Sequence, residues 1–243
     1  MNTYALVGKN IAYSFSRSYF KEKFKREGIT DSQYINFDIQ SLEQLPELLL
    51  TTPNVKGLNV TIPYKREIIP FLQTIDPTAE AIGAVNTVKI TPQGLIGFNT
   101  DCYGFSESLR PLLQPHHTQA LILGTGGASG AVAYALKQLG IAYRFVSRTP
   151  REGQLAYNQL TQEILQTHQL IINSTPLGTY PTVDEYPPIP YQYITSAHLL
   201  YDLIYNPPQT AFLAQGVQRG ATTTNGQRML ELQAEKSWEL WTK

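Results

Sequence analysis

The run Gly57-Leu58-Asn59-Val60-Thr61-Ile62-Pro63-Tyr64-Lys65 holds the residues best suited to chemistry. A strand-like stretch, 55–60, ends at a proline break and delivers one lysine. Alternate positions of an extended segment face the same way, so Asn59 and Thr61 are expected to line one surface. Lys65 follows where the chain is expected to turn into a helix. That is a polar pocket with a single titratable amine. Asp101, in Gly97-Phe98-Asn99-Thr100-Asp101, supplies a carboxylate. Taken alone it reads as a helix N-cap; the functional reading pairs it with Lys65, where a carboxylate orients the lysine and tunes its pKa. Ser14 and Ser16 stand two apart in a loop. If that segment is extended, both hydroxyls face one ligand and can donate to a small carboxylate; otherwise they are solvent-exposed loop serines. Together these groups suggest an enzyme.

The elements that must position them alternate between short apolar runs and helical patterns. Strands are expected at 4–7, 34–37 and 55–60, and a hairpin at 85–90 and 95–98 around Thr91-Pro92-Gln93-Gly94, a turn by composition. Phe20 and Phe24 mark the buried side of a helix stopped at Gly28; further helices cover 42–50 and include 68–72. A second series begins after the loop 112–117, read as the hinge region. It has strands at 120–123, 143–147, 170–173 and 199–203, a helix at 131–139 closed by Gly140, and a final amphipathic helix at 229–241. Alternating strands and helices predict an α/β protein with mainly parallel sheets, the hairpin adding an antiparallel edge. The stretch 150–169 is short for a helix, a strand and their loops, so the second domain is expected to be trimmed there.

Gly124-Thr125-Gly126-Gly127-Ala128 follows a strand and opens a helix. Glycines there permit a tight turn and let a diphosphate approach backbone N–H groups at a positive helix end. Ser129 takes the place of the last glycine of the usual fingerprint; it is small enough for close packing. The bland alternative is a plain strand-to-helix turn. After the next strand, Ser147-Arg148-Thr149-Pro150-Arg151 has two arginines and no acid. An acid there selects NAD, whereas an arginine fork suits a 2′-phosphate, so the reading is NADP unless both arginines are simply solvated.

Composition excludes several classes. The 243 residues carry 16% charged residues and a formal net charge of zero, which leaves no electrostatic footprint for nucleic acid. No apolar run of about 18 residues predicts a membrane span, and the start lacks a signal-peptide pattern. One cysteine, Cys102, cannot form an internal disulfide and fits a reducing cytoplasm; it reads as a small buried residue. The four histidines have no metal-ligand spacing, so no metal is expected.

The order of motifs resembles the shikimate/quinate dehydrogenase family from end to end. Gly57 to Lys65 is similar to its N-V-T-x-P-Y-K signature. Gly83-Ala84-Val85-Asn86-Thr87-Val88 and Asn99-Thr100-Asp101-x-x-Gly104-Phe105 resemble its next two motifs. The glycine loop and the step Arg148-Thr149 resemble its NADP half, and Asn173-Ser174-Thr175-Pro176-Leu177-Gly178 the loop flanking the nicotinamide. Asp202-Leu203-Ile204-Tyr205-Asn206-Pro207 and Gly226-x-x-Met229-Leu230-x-x-Gln233 are similar to its closing motifs.

The resemblance implies a substrate domain at 1–102, joined by the last helix at 226–243 packing back on it, and a Rossmann-like NADP domain at 103–225. It implies reversible, NADPH-dependent reduction of 3-dehydroshikimate to shikimate, on the route to chorismate and the aromatic amino acids. Ser14 and Ser16 would hold the substrate carboxylate. Thr61, Asn86, Asp101 and Gln233 would bond the ring hydroxyls, Tyr205 would border the substrate, and Lys65 would be the general acid/base. Gly124, Thr125, Gly126, Gly127 and Ala128 would take the diphosphate, with Ser147, Arg148, Thr149 and Arg151 at the adenosine phosphate. Thr175, Leu203 and Gly226 would lie near the nicotinamide. The partners are a small-molecule substrate and NADP, with no nucleic acid or membrane, in a monomer or homodimer. Departures are Tyr13 for the usual His, Arg17 for Pro, Phe20-Lys21 for His-Asn, Ser147 for Asn and Gly130 for Arg. Quinate use by the same fold, a shikimate-binding sensor without turnover, and a folate-type methylene dehydrogenase are the competing readings.

Overall fold

The computed structural model describes residues 1–12 and 14–243; Tyr13, one of the departures above, lies outside the described residues. The chain forms two compact units, Met1–Thr100 with Gln233–Lys243, and Asp101–Leu232. The first boundary falls two residues before the expected one. Asp101 opens a helix that packs on the helix of the glycine loop, so the whole helix goes with the second unit. The second boundary falls inside the last helix rather than before it, and the loop 112–117 lies within the second unit.

In the first unit the elements run β1 (Asn2–Gly8), α1 (Phe15–Arg26), β2 (Ser32–Asp38), α2 (Leu45–Thr51), β3 (Val55–Val60), β4 (Thr74–Ile75), α3 (Pro77–Ile82), β5 (Thr87–Thr91) and β6 (Gly94–Phe98). They build one sheet in the order β2-β1-β3-β5-β6-β4. β1, β2 and β3 are parallel, whereas β5 and β6 form the expected antiparallel hairpin. β4 pairs with β6 and takes the edge; two residues are too few to leave a strand signal in the sequence.

Both faces of this sheet are covered, and the period-two alternation of β1 shows how. Ala5 and Val7 join one core with Phe37, Leu58, Val60 and Ile68, while Tyr4 and Leu6 join another with Phe20, Phe24, Tyr34 and Trp241. Phe20 stacks on Tyr34 at 4.5 Å. The second core is sealed by charge: buried Lys23 donates to Glu27 at 2.9 Å and Glu235 at 2.7 Å, and the Tyr19 hydroxyl also donates to Glu235.

The second unit continues with α4 (Asp101–Leu109), β7 (Gln119–Leu123), α5 (Ser129–Gln138), β8 (Ala142–Ser147), β9 (Leu155–Ala156), α6 (Gln162–Thr167), β10 (Leu170–Asn173), β11 (Leu199–Asp202), α7 (Ala211–Val217), β12 (Thr222–Thr224) and α8 (Gln227–Thr242). Its sheet is wholly parallel in the order β12-β11-β10-β7-β8-β9. Read from β9, that is the 3-2-1-4-5-6 order of a dinucleotide-binding sheet, with its switch point between β7 and β10. The short stretch 150–169 holds a two-residue strand and a six-residue helix, so it is compressed as expected.

Gly57 has no side chain because α8 leaves no room for one. A methyl group there would enter the Trp241 indole, whose Nε1 donates to the Val88 carbonyl at 2.9 Å. Gly57→Ala is expected to cost about 1–3 kcal/mol through overpacking, read as a lower urea midpoint at unchanged slope. An unchanged midpoint would contradict this packing of α8 on β3.

Candidate active site

Lys65 is half-buried and stands on a turn, not at the start of an α-helix. Its carbonyl accepts from Val85 N–H at 2.7 Å, which withdraws it from a helical bond; Ile69 N–H turns instead to Arg66 at 3.3 Å. The expected helix over 68–72 is correspondingly only a 3-10 turn, Ile69–Phe71, with Pro70 in it. The turn is anchored on both sides of the lysine. Tyr64 and Ile68 are buried in the core, and the Tyr64 hydroxyl donates to the Ile39 carbonyl at 2.8 Å. Thr61, partly exposed, follows the end of β3, its N–H bonded to the Val7 carbonyl at 2.9 Å.

Next to Val85 stands Asn86, 3% exposed. Its backbone bridges two strands, donating to Phe98 at 3.0 Å and accepting from Val60 N–H at 2.8 Å. Its side-chain oxygen accepts from Thr100 N–H at 2.7 Å, and its amide donates to Thr100 Oγ1 at 3.1 Å and to Gln233 Oε1 at 3.4 Å. Ser237, one turn beyond Gln233 on α8, closes the cluster with Thr87 at 2.8 Å and Thr100 at 3.2 Å. Asn86 and Gln233 are thus brought together in one buried hydrogen-bonded group. Thr87 and Thr100 belong to the motifs around Asn86 and Asp101, which gave them no role of their own, whereas Ser237, four residues after Gln233 on the same helix face, lies outside every motif.

Two expectations need correction. Asn59 does not present its amide beside Thr61. It is 4% exposed, its oxygen accepts from the Tyr34 hydroxyl at 2.8 Å, and its nitrogen donates to Thr87 at 3.2 Å and Ser237 at 3.0 Å. With its hydrogen-bonding capacity taken up by the protein, it braces the Asn86 cluster. Ser14 and Ser16 do not lie on an extended segment either. Ser14 is the N-cap of α1, accepting from Arg17 N–H at 3.4 Å, and Ser16 sits in the first turn. Two hydroxyls at a helix N-terminus with no acid in its first turn still suit a carboxylate, now with the helix dipole behind them. Burial pushes the Tyr34 phenol up, while the Ser16 hydroxyl beside it pulls the other way.

In the second unit, Gly124 is structural. Its φ is +97°, and a methyl there would meet Thr175 Cγ2 at 2.9 Å. Gly126 and Gly127 are different: neither has positive φ, and a methyl on either would meet no protein atom within 4 Å. Nothing in the protein's own packing requires glycine at these two positions. What their bareness provides is close access to the N-terminus of α5, as a diphosphate needs. Ser129 fits as a small packing residue, 4% exposed, with its hydroxyl on the Gly126 carbonyl at 2.7 Å. At the end of β8, Ser147 accepts from Thr149 N–H at 3.2 Å, and Arg148, Thr149 and Arg151 are exposed. These residues fit a nucleotide carrying an extra phosphate: a bare cradle, then two arginines without an acid.

Across the switch point, Thr175 donates its N–H (3.0 Å) and hydroxyl (2.6 Å) to Asn173 Oδ1. Leu203 N–H donates to Asn173 O at 3.0 Å, and Gly226 N–H to Ile204 O at 3.0 Å. A methyl on Gly226 would run into the Leu203 carbonyl. Leu203 and Tyr205 line a pocket of about 300 Å³ with Pro176, Thr179 and Tyr180. Burial pushes the Tyr205 phenol up. Asp101 is the first residue of α4 and 7% exposed. That helix is tied to β11 by Ser108 and the Tyr201 hydroxyl at 2.7 Å; burial pushes Tyr201 up to about 12, Ser108 drawing it down. Asp202, the last residue of β11, is fully buried. Among the described residues no group of three or more His, Cys, Asp or Glu could hold a metal ion, and no helix is long and apolar enough to cross a membrane.

The profile described as shikimate dehydrogenase substrate binding domain matches residues 6–88. A shikimate dehydrogenase (NADP(+)) of Clostridium botulinum is 36% identical, the match covering 99% of this chain and 96% of that protein. Its counterpart in Methanococcus aeolicus is 35% identical, covering 98% and 90%. The shikimate 5-dehydrogenase of Thermus thermophilus, solved in complex with NADP(H) and shikimate, superposes with a TM-score of 0.87 at 31% identity, covering 100% of this chain and 94% of that one.

Burial pushes the Asp202 carboxyl from 3.8 up to about 6, against the downward pull of Thr210, Ile204 and Asn173. The folded state therefore holds the proton more tightly than the unfolded chain. This contribution to stability is whole below the unfolded value and is lost as pH rises through about 6. The gap corresponds to about 3 kcal/mol. The expected result is that the unfolding free energy of the parent falls by about that amount, relative to Asp202→Asn, from about pH 3 to about pH 7. A difference independent of pH would contradict the burial of this carboxylate.

Proposed function

Because the chain belongs to the shikimate dehydrogenase family, we propose that it is an NADP-dependent oxidoreductase interconverting 3-dehydroshikimate and shikimate. One observation carries the reading at the residue level. The bond from Val85 N–H to the Lys65 carbonyl ties the backbone that carries the lysine to the segment that carries Asn86, which supports their acting on one substrate. The first unit, which contains the matched substrate-binding region, takes the substrate; the second takes NADP.

Ser14 and Ser16 hold the substrate carboxylate at the N-terminus of α1. Thr61, Asn86 and Gln233 bond the ring hydroxyls, with the orientation of Asn86 and Gln233 set before the substrate arrives. NADPH, when bound, supplies the hydride that adds to the ring carbonyl carbon. Negative charge then grows on the carbonyl oxygen, and the Lys65 ammonium gives it a proton, leaving a neutral amine and an alcohol. In the reverse direction the neutral amine takes the hydroxyl proton. Asp101 accepts from the hydroxyl so formed, and Tyr205 borders the ring. Gly124, Thr125, Gly126, Gly127 and Ala128 receive the diphosphate, and Arg148, Thr149 and Arg151 the 2′-phosphate. Thr175, Leu203 and Gly226 form the nicotinamide side. The lone cysteine is consistent with a reducing cytoplasm, where the protein acts as a monomer or homodimer.

Purified protein with shikimate and NADP is expected to raise absorbance at the NADPH band. Comparable kcat/KM with quinate or NAD would overturn the specificity assignment. No turnover with any pair, in a folded sample that binds shikimate, would favour a binding protein without catalysis. Lys65→Ala should lower kcat by about 10²–10⁴-fold; a loss of only a few-fold would exclude it as the proton donor. Arg148→Ala should raise KM for NADP about tenfold or more, the worth of a charge-assisted contact. KM for NAD should stay near the parent's, and equal losses for both nucleotides would argue against 2′-phosphate recognition.

A further inference from the structure

Asp202 lies at the end of β11, 0% exposed, and its three side-chain partners are all uncharged donors. Oδ1 accepts from Asn173 Nδ2 at 3.0 Å and from Ile204 N–H at 3.0 Å, while Oδ2 accepts from the Thr210 hydroxyl at 2.6 Å. A carboxylate buried among neutral groups is costly. An asparagine would fill the same space but has one acceptor face and one donor face: with its nitrogen on Thr210 its oxygen still meets Asn173 and Ile204, and turned over it meets both with a donor. What the acid alone supplies is polarity. An ionised carboxylate only accepts, so Asn173 has to turn its NH2 toward Asp202. Its oxygen then faces Thr175, where it takes the N–H at 3.0 Å and the hydroxyl at 2.6 Å. Thr175 Cγ2 is the group that a methyl on Gly124 would strike, so this residue stands against the start of the glycine loop. The other bond from Oδ1 pins Ile204, between Leu203 and Tyr205, and the Ile204 carbonyl in turn receives Gly226 N–H at 3.0 Å.

We propose that Asp202 is a positioning residue for the cofactor half, its acceptor-only carboxylate setting the direction of the hydrogen-bond relay Asp202–Asn173–Thr175 and holding the Leu203–Tyr205 turn. It touches neither cofactor nor substrate and acts through Thr175 and Ile204. Replacing the carboxylate by an amide leaves the volume unchanged and makes both Asn173 orientations available. The nicotinamide side would then be held in a mixture of arrangements, and binding would weaken by the fraction of molecules in the wrong one.

The proposal rests on the NADP reading of this unit, and the test separates the two. NADPH affinity is measured from the fluorescence of the bound nicotinamide, shikimate affinity from tryptophan fluorescence without nucleotide, both at mildly alkaline pH. Asp202→Asn is expected to weaken NADPH about tenfold while shikimate affinity stays within twofold. Thr175→Val should weaken NADPH similarly, and the double variant should be no worse than either single one, because both cut one relay. Thr175→Ser, which keeps the hydroxyl and N–H, should retain most of the affinity. If Asp202→Asn does not fold, Asn173→Ala cuts the relay at its middle and is expected to show the same loss and the same non-additivity with Thr175→Val. Unchanged NADPH affinity, losses that multiply in the double variant, or an equal loss of shikimate affinity would overturn the proposal. A parent protein that binds NADPH but does not turn over shikimate would sink the functional reading and leave this test intact. A parent that binds no NADPH would sink both.

Discussion

Burying an amide obliges each of its polar atoms to find a partner, and the first unit is arranged around how Asn86 meets that demand. Its backbone joins β3 to the end of β6, and its side chain takes the Thr100 N–H and reaches Gln233 on α8. Thr87, Ser237 and Asn59 complete the same group, and Tyr34 connects it to the aromatic core beneath α1. The cluster is low in charge and fully enclosed, so its bonds are strong and directional. Asn86 and Gln233 are consequently held in orientations fixed by the protein. A preorganised site loses less freedom on binding than one that must be ordered by the substrate.

The second unit applies the same logic with a charge at its root. Asn173, at the end of β10, is oriented by Asp202 at the same level on β11. In each unit an asparagine at or beside a strand end carries information sideways between neighbouring strands. Strand ends suit this task because the backbone there is still held by the sheet while the side chain has left the ladder. The parallel order with its switch point between β7 and β10 then brings the glycine loop and the Asn173–Thr175 turn side by side at the carboxyl ends of the two central strands.

Space does as much as bonding. Gly57 and Gly226 are bare because the Trp241 ring and the Leu203 carbonyl occupy the room a side chain would need. Gly126 and Gly127 are bare although nothing of the protein crowds them. The same residue type therefore stands in two unlike surroundings, close packing in one case and open backbone in the other. Only the surroundings of each Cα tell them apart.

The sequence by itself determined the strands and stops that depend on local pattern. β3 and β10 lie where their apolar runs end at Val60 and Asn173, and Gly28 and Gly140 end their helices with positive φ. The glycine loop between β7 and α5 and the chain order of the motifs were legible for the same reason, since every signal lies within a few residues. Only the tertiary structure decided the rest. Lys65 is on a turn rather than a helix because Val85, twenty residues on, takes its carbonyl. Asn59 is spent on Ser237, 178 positions away, and Ser14 becomes a helix cap rather than part of an extended pair. Asp202 gained its place from strands that meet only in the folded sheet. A hydrogen bond's partner is chosen by proximity in space, and one-dimensional spacing carries that information only within an element.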